Sequence, residues 1–317
     1  MAIQKINIGN SNLQVAPLNL GGNVFGWTLN ETQSFDILDA FTQAGFNFID
    51  TADTYSVWVP GNKGGESEKI IGNWTKQRNN RKDVVIATKV GWDHGDGRKG
   101  LKANYIIKQA EQSLKNLQTD YIDLYYTHID EGFAPIEETL TAYDTLIKEG
   151  KVRYIAASNV PPDRLKESLT LAEKNGLPKY QALQPHYNLV ERSKYETDYA
   201  PIAAEHGLTV FPYWALAAGF LTGKYRSEAD LSKSVRGQGA KQYLTEKGLG
   251  VLQALDTVAA KHNSTPASVA LAWLLAQPNI GAPIASATSK DQLATLVAAV
   301  QLQLDKDDLE LLDTASK

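Results

Sequence analysis

Phe46-Asn47-Phe48-Ile49-Asp50 is a short apolar run that ends on an acid, and runs of this kind recur with a fixed stride. Val84-Val85-Ile86-Ala87-Thr88 ends on Lys89, and Ile122-Asp123-Leu124-Tyr125-Tyr126-Thr127 ends on His128. The steps from Asp50 to Lys89 and from Lys89 to His128 are both 39 residues. That stride is the size of one strand-plus-helix unit in an eightfold (β/α) barrel of this length. The runs lack strict apolar–polar alternation, as expected of parallel strands covered on both faces.

Working outward, eight strand candidates appear, at residues 15–20, 46–49, 84–88, 122–126, 154–157, 182–183, 209–212 and 282–285. Helical periodicity fills the intervals at 31–44, 67–77, 102–117, 135–149, 161–175, 244–262 and 266–277. Thr32 and Asn104 are candidate helix starts, and Gly45 and Gly150 follow helices as stops. Glu66-Ser67-Glu68 reads as a helix start with acids at the positive end. Residues 4–8 and 13–15 flank the polar turn Gly9-Asn10-Ser11-Asn12, which predicts a hairpin. A Gly-rich segment spans 219–239, and no linker divides the chain. The expected fold is α/β: a (β/α)8 TIM barrel with an N-terminal β-hairpin and extra helices, one domain over 1–317. An open doubly wound sheet is the alternative.

Composition narrows the chemistry. With 32 Lys+Arg against 36 Asp+Glu, no basic surplus exists to neutralise a phosphate backbone, so nucleic acid is not an expected partner. The chain has no cysteine, which excludes disulfides, thiolate catalysis and zinc–sulfur sites. Apolar runs fall well short of the ~20 residues of a membrane span, and no apolar leader opens the sequence, so a cytoplasmic setting is expected.

Chemistry in a barrel collects at the C-terminal ends of the strands. There the sequence offers Gly21-Gly22-Asn23, Asp50 with Tyr55, Lys89, His128, Ser158-Asn159, Gln184, Tyr213 and Ser286. An acid, a phenol, a cation and an imidazole suit proton transfer to a carbonyl. A free phenol, with a pKa of about 10, donates sluggishly near neutrality. A neighbouring ammonium favours the phenolate, a carboxylate keeps that ammonium charged, and an imidazole polarises the carbonyl oxygen. Tyr55, Lys89, Asp50 and His128 are the candidates for these roles. Singly, each residue would more often be a surface or capping side chain; the equal spacing sets the group apart.

Phe48-Ile49-Asp50-Thr51-Ala52-Asp53-Thr54-Tyr55 resembles the signature of the aldo-keto reductase family. Ile86-Ala87-Thr88-Lys89 and Leu124-Tyr125-Tyr126-Thr127-His128 resemble its lysine and histidine motifs. The resemblance implies hydride transfer between NADP or NAD and a small-molecule carbonyl or alcohol. It implies that Ser158, Asn159 and Gln184 hold the nicotinamide carboxamide and that Tyr213 stacks on the ring. By the same resemblance Trp214, Leu216, Gly219 and Lys224 wrap the pyrophosphate, while Ser286, Thr288, Lys290 and Gln292 meet the adenosine end. Gly21, Gly22, Asn23 and Asp50 complete the expected cofactor contacts. The adenosine end departs from the family pattern. Positions 288 and 292 carry Thr and Gln where 2′-phosphate binders place a cation, and Leu296 replaces an asparagine. Both NADP and NAD therefore stay open.

Trp27, Trp58 and Trp92 lie in loops after the first three strands and, with His128, form the expected substrate side. Gly95-Asp96-Gly97-Arg98-Lys99-Gly100 matches G-x-G-x-x-G, yet Trp92-Asp93-His94 separate it from its strand, so a flexible barrel loop is expected there. Asp93, His94 and Asp96 lack a metal-ligand spacing, and no metal is expected. Two further readings compete: a cofactor-binding regulatory barrel with slow turnover, and a hydrolase or lyase using Asp50, Asp53 and His128.

Overall fold

The short strands form because their apolar side chains alternate between a barrel interior and a ring of helices. The computed structural model describes residues 3–317. β1 (Ile6–Asn7) and β2 (Gln14–Val15) make the antiparallel hairpin. Eight parallel strands follow: β3 (Asn19–Gly21), β4 (Phe48–Asp50), β5 (Val85–Val90), β6 (Ile122–Thr127), β7 (Val152–Ser158), β8 (Tyr180–Gln184), β9 (Thr209–Val210) and β10 (Ile284–Ala285). Their order runs β10-β3-β4-β5-β6-β7-β8-β9. Backbone bonds from Val210 N to Asn279 O, Gly281 N to Val210 O and Ile284 N to Pro212 O join the last two strands and close the barrel. The doubly wound alternative is thereby excluded.

The ring holds α1 (Glu31–Gln43), α2 (Glu66–Arg78), α3 (Ala103–Leu117), α4 (Ile136–Lys148), α5 (Pro162–Asn175), α6 (Ala200–His206), α7 (Glu246–Lys261), α8 (Pro266–Leu275), α9 (Lys290–Ala299) and α10 (Lys306–Ser316). Two expected caps move. Asn30, not Thr32, caps α1 in a capping box with Gln33, and α3 begins after Lys102 without a side-chain cap, so Asn104 lies inside it. α6, α9 and α10 were not read from the sequence. α6 follows a π-helical turn at Tyr195–Tyr199 that breaks the 3.6-residue period. The Gly-rich segment resolves into 3-10 turns at Ala217–Thr222, Glu228–Lys233 and Gly237–Tyr243.

Side-chain parity positions the site. Phe48, Val85, Ala87, Leu124, Tyr126, Ala156, Ala182, Phe211, Ala282 and Ile284 pack inside the barrel, with Ile8, Leu13 and Val15 of the hairpin plugging its lower end. Two residues on, in the same phase, come Asp50, Lys89, His128, Ser158, Gln184, Tyr213 and Ser286. Strand alternation therefore aims these polar groups up the barrel axis, above a filled apolar core.

Glu66-Ser67-Glu68 does more than start α2. Ser67 Oγ donates to Gly22 O (2.8 Å) and accepts from Thr51 Oγ1 (2.8 Å). Buried Glu68 accepts from Thr88 Oγ1 (2.6 Å) and Asn116 Nδ2 (2.9 Å), and its burial raises its pKa. These bonds rivet the helix to the strands that carry Asp50 and Lys89.

Candidate active site

Tyr55 reaches Asp50 and Lys89 because the chain after β4 stays bonded to β5. Thr51 N donates to Ala87 O (2.8 Å) and Asp53 N to Lys89 O (3.3 Å); Tyr55 N then turns back onto Ala52 O (3.2 Å). Ser56, at φ 71°, holds the turn through Oγ on Phe25 O (2.7 Å). The result is a buried chain of hydrogen bonds. Lys89 Nζ donates to Asp50 Oδ2 (2.5 Å), Tyr55 OH (2.8 Å) and Thr51 O (2.8 Å). Tyr55 OH donates to Asp50 Oδ2 (3.0 Å), and Gln184 Nε2 to Asp50 Oδ1 (2.9 Å). Asp50 and Lys89 are fully buried.

The electrostatics differ in one respect from the sequence expectation. Burial, and then the charge of Asp50, push the Tyr55 phenol well above its ordinary value, so the group stands protonated at neutral pH. Burial also lowers Lys89, with Asp50 acting against it. Lys89 therefore does not drive Tyr55 to the phenolate at rest. Burial and the nearby Lys89 charge hold His128 well below 6.5, hence neutral. Its Nδ1 is buried without a partner among the described residues, which puts the ring proton on Nε2, because an orphan lone pair costs less than an orphan N–H.

Tyr55 and His128 face each other across the floor of a cavity of about 1130 Å³, their rings 6.2 Å apart. Trp92 leans on His128 at 5.1 Å and Trp58 on Tyr55 at 6.3 Å, so both tryptophans wall this end. Trp27 does not reach the wall; it packs edge-on against Trp58 at 5.6 Å. Asp50, Lys89 and Gly22 lie just behind the floor. A Cβ on Gly22 would stand 2.9 Å from Ser67 Oγ.

Beyond Tyr55 the cavity continues along the expected cofactor residues. Ser158 Oγ donates to Gln184 O (2.9 Å), Asn159 Nδ2 to His128 O (2.9 Å), and Tyr213 OH to Asn159 Oδ1 (2.9 Å). Gln184 Oε1 accepts no bond among the described residues. Trp214, Leu216, Gly219 and Lys224 also line the cavity, where Trp214 (φ 52°), Ala217 (φ 48°) and Ala218 (φ 55°) hold left-handed backbone. At the strand ends Ser286 Oγ donates to Asn23 Oδ1 (2.5 Å), leaving no room for a Cβ on Gly21, which would stand 2.7 Å from that Oγ. Thr288 N donates to Gln292 Oε1 (2.9 Å), and Leu296 completes the wall. Lys290 opens α9 away from the cavity.

Several lining residues were missed in the sequence, His186 and Arg236 among them. His186 stacks on Tyr213 (5.4 Å, 15°), and its signal was available: it continues the Ala182, Gln184 parity. Arg236 gave no signal, since only the path of the 217–243 segment brings it to the wall. Neither Lys224 nor Arg236 forms an ion pair among the described residues, and burial lowers Arg236. Two unpaired cations and a glycine cradle fit an elongated anionic ligand such as a dinucleotide, and Gln184 Oε1 is left to accept from an N–H of it. The G-x-G-x-x-G stretch is the expected loop. His94 turns inward to Asp53 (3.2 Å) and Asp96 pairs with Arg98 (2.9 Å). No cluster of three metal-capable acids or imidazoles occurs among the described residues. Among the described residues no helix is long and apolar enough to cross a membrane.

Comparison with known proteins agrees with this geometry. The aldo/keto reductase family model matches residues 17–317. An uncharacterized oxidoreductase, YrpG, of Bacillus subtilis is 36% identical over 314 residues, covering 96% of this chain and 94% of that protein. A probable voltage-gated potassium channel subunit beta of Arabidopsis thaliana is 32% identical, covering 95% and 92%. A norsolorinic acid reductase of Aspergillus flavus is 29% identical, covering 99% and 81%. The chain is therefore an oxidoreductase-type (β/α)8 barrel that belongs to the aldo/keto reductase family.

Proposed function

We propose that this protein reduces an aldehyde, ketone or sugar carbonyl to an alcohol, or runs the reverse reaction, with Tyr55 as general acid and base. One observation carries the reading: the buried Asp50–Lys89–Tyr55 chain ends on a phenol that faces His128 across a cavity able to hold a dinucleotide and a small molecule. Tyr213 would hold the nicotinamide, which when bound would supply or accept the hydride. His128 Nε2–H and Tyr55 OH converge on the carbonyl oxygen and polarise it. The Tyr55 hydrogen, which rests on Asp50, rotates to that oxygen and is transferred as charge builds there. Lys89 then faces a phenolate at 2.8 Å and stabilises it, while Asp50 keeps Lys89 cationic. In the oxidative direction the same phenolate takes the alcohol proton.

Ser158, Asn159 and Gln184 are assigned to the carboxamide, and Gly219 and Lys224 to the pyrophosphate. Arg236, a cation on the cavity wall with no ion pair among the described residues, is assigned the role that positions 288 and 292 lack, which favours NADP over NAD. The likeness to a plant channel subunit supports a second reading, a cofactor-binding regulatory barrel with slow turnover. Titration with NADPH and NADH, followed by nicotinamide absorbance with an aldehyde panel, tests both. Binding with turnover that falls in Tyr55→Phe supports the reductase. Binding with negligible turnover favours regulation, and no binding of either cofactor refutes both.

A further inference from the structure

Beneath the rim of the cavity lies a buried histidine–carboxylate pair that the proposed chemistry does not use. Residues 91–100 form a lobe whose neck is closed by Gly100 N donating to Gly91 O (2.9 Å). Both neck residues have left-handed-side backbone, φ 118° at Gly91 and 94° at Gly100, which marks glycine hinges. At the tip Gly95 and Gly97 face open space. Trp92, on the cavity wall, sits just inside the first hinge.

His94 is the lobe's buried anchor. Its side chain is 2% exposed and its Nε2 lies 3.2 Å from Asp53 Oδ2, whose side chain is 6% exposed. Nδ1 lies 3.5 Å from Lys63 O, and Gln109 Nε2 of α3 lies 3.4 Å from His94 Nε2 and donates to Tyr105 OH (3.0 Å). The imidazole thus joins the Trp92 lobe to the loop that carries Tyr55 and to α3. The rest of the lobe is held by exposed groups: Arg98 to Lys63 O (2.7 Å), and Lys99 to Asp93 (3.4 Å) and Glu131 (3.5 Å).

We propose that His94 is a positioning residue that latches the Trp92 lobe to Asp53 and so fixes the wall against which a carbonyl substrate packs. The proposal rests on the reductase reading for its substrate. Each ring nitrogen has an oxygen acceptor beside it, Asp53 Oδ2 at 3.2 Å and Lys63 O at 3.5 Å, which favours the imidazolium against the Gln109 amide that also lies 3.4 Å from Nε2. Burial pulls His94 down, the Asp53 carboxylate pulls it up more strongly, and the net shift is upward; Arg98 opposes. Asp53 is raised by burial, with His94 and Arg98 acting against it. Around the pair stand Asp96 on the lobe, Tyr105 on α3, Glu68 on α2, and Lys89 and His128 at the floor. The charged latch therefore holds above the raised value of Asp53 and weakens as pH rises through that of His94.

The test compares wild type, His94→Gln and Asp53→Asn. KM and kcat for a carbonyl are measured from about pH 6 to about pH 9, and tryptic nicking after Arg98 or Lys99 is followed in the native protein, normalised to a free peptide. Loss of a charge-assisted hydrogen bond predicts roughly tenfold faster nicking and roughly tenfold higher KM in both variants, with kcat within about twofold. Wild-type KM rises toward alkaline pH, whereas His94→Gln gives a flat profile. Variants matching wild type in nicking and KM overturn the proposal, as does a wild-type KM that is flat with pH. A parallel loss of cofactor affinity in both variants overturns it in favour of a general structural role. If no carbonyl is turned over, the reductase reading fails separately, and nicking alone decides the latch.

Discussion

Lys89→Met isolates the electrostatics of the buried chain. Methionine nearly matches the lysine stem in length, so packing changes little and the loss is the ammonium. That ammonium spends its three donors on Asp50, Tyr55 and Thr51 O at 2.5, 2.8 and 2.8 Å. Without it, fully buried Asp50 keeps only Gln184 (2.9 Å) and Tyr55 (3.0 Å) as donors. Removing one partner of a buried pair costs about 3–5 kcal/mol, and the orphaned Thr51 carbonyl adds roughly 1–3 kcal/mol. A loss of about 4–8 kcal/mol would take a large share of the ~5–15 kcal/mol that holds a domain folded. In the variant Asp50 relieves the strain by staying protonated in the fold while it ionises in the unfolded chain. The folded state then binds more protons, so stability falls as pH rises above the unfolded carboxylate value of about 3.9. Urea unfolding at about pH 5 and about pH 8 reads this as a smaller deficit at the lower pH. Adding Asp50→Asn removes the stranded charge and should return about 2–3 kcal/mol. A deficit below about 1 kcal/mol, or one equal at both pH values and not rescued by Asp50→Asn, would refute the reasoning.

Three further outcomes are expected. His128→Ala lowers carbonyl kcat/KM by roughly 10²–10³ with cofactor affinity unchanged, and because burial and Lys89 keep the wild-type ring neutral, the wild-type rate shows no His128 protonation step between about pH 8 and about pH 6. Arg236→Gln weakens NADPH binding by about 1.5–3 kcal/mol and NADH binding by less, read by titration; equal losses for both would place Arg236 on a group the two cofactors share. Asp308, held down to about 2 by Lys261 and His262 despite burial, stabilises the α7–α10 contact above its unfolded value and loses that effect as pH falls through about 2. Asp308→Asn should therefore cost about 1–2 kcal/mol near neutrality, seen as a lower Tm, with the gap to wild type closing in acid.

The sequence by itself determined the strands, their parity and the polar set at their upper ends. These follow from covalent geometry: successive side chains of a strand alternate, so Asp50, Lys89, His128, Ser158, Gln184 and Tyr213 share the phase of the core residues beneath them. It did not determine which groups those side chains meet. The three-dimensional fold alone set the resting state of Tyr55, because desolvation depends on packing by distant elements and here outweighs the neighbouring ammonium. It alone brought Arg236 to the cavity, through a loop with no periodic signal. It alone paired His94 with Asp53, 41 residues apart in sequence, and left Trp27 behind Trp58 rather than on the wall. Periodicity is local and legible, whereas burial and charge environment are sums over the whole fold.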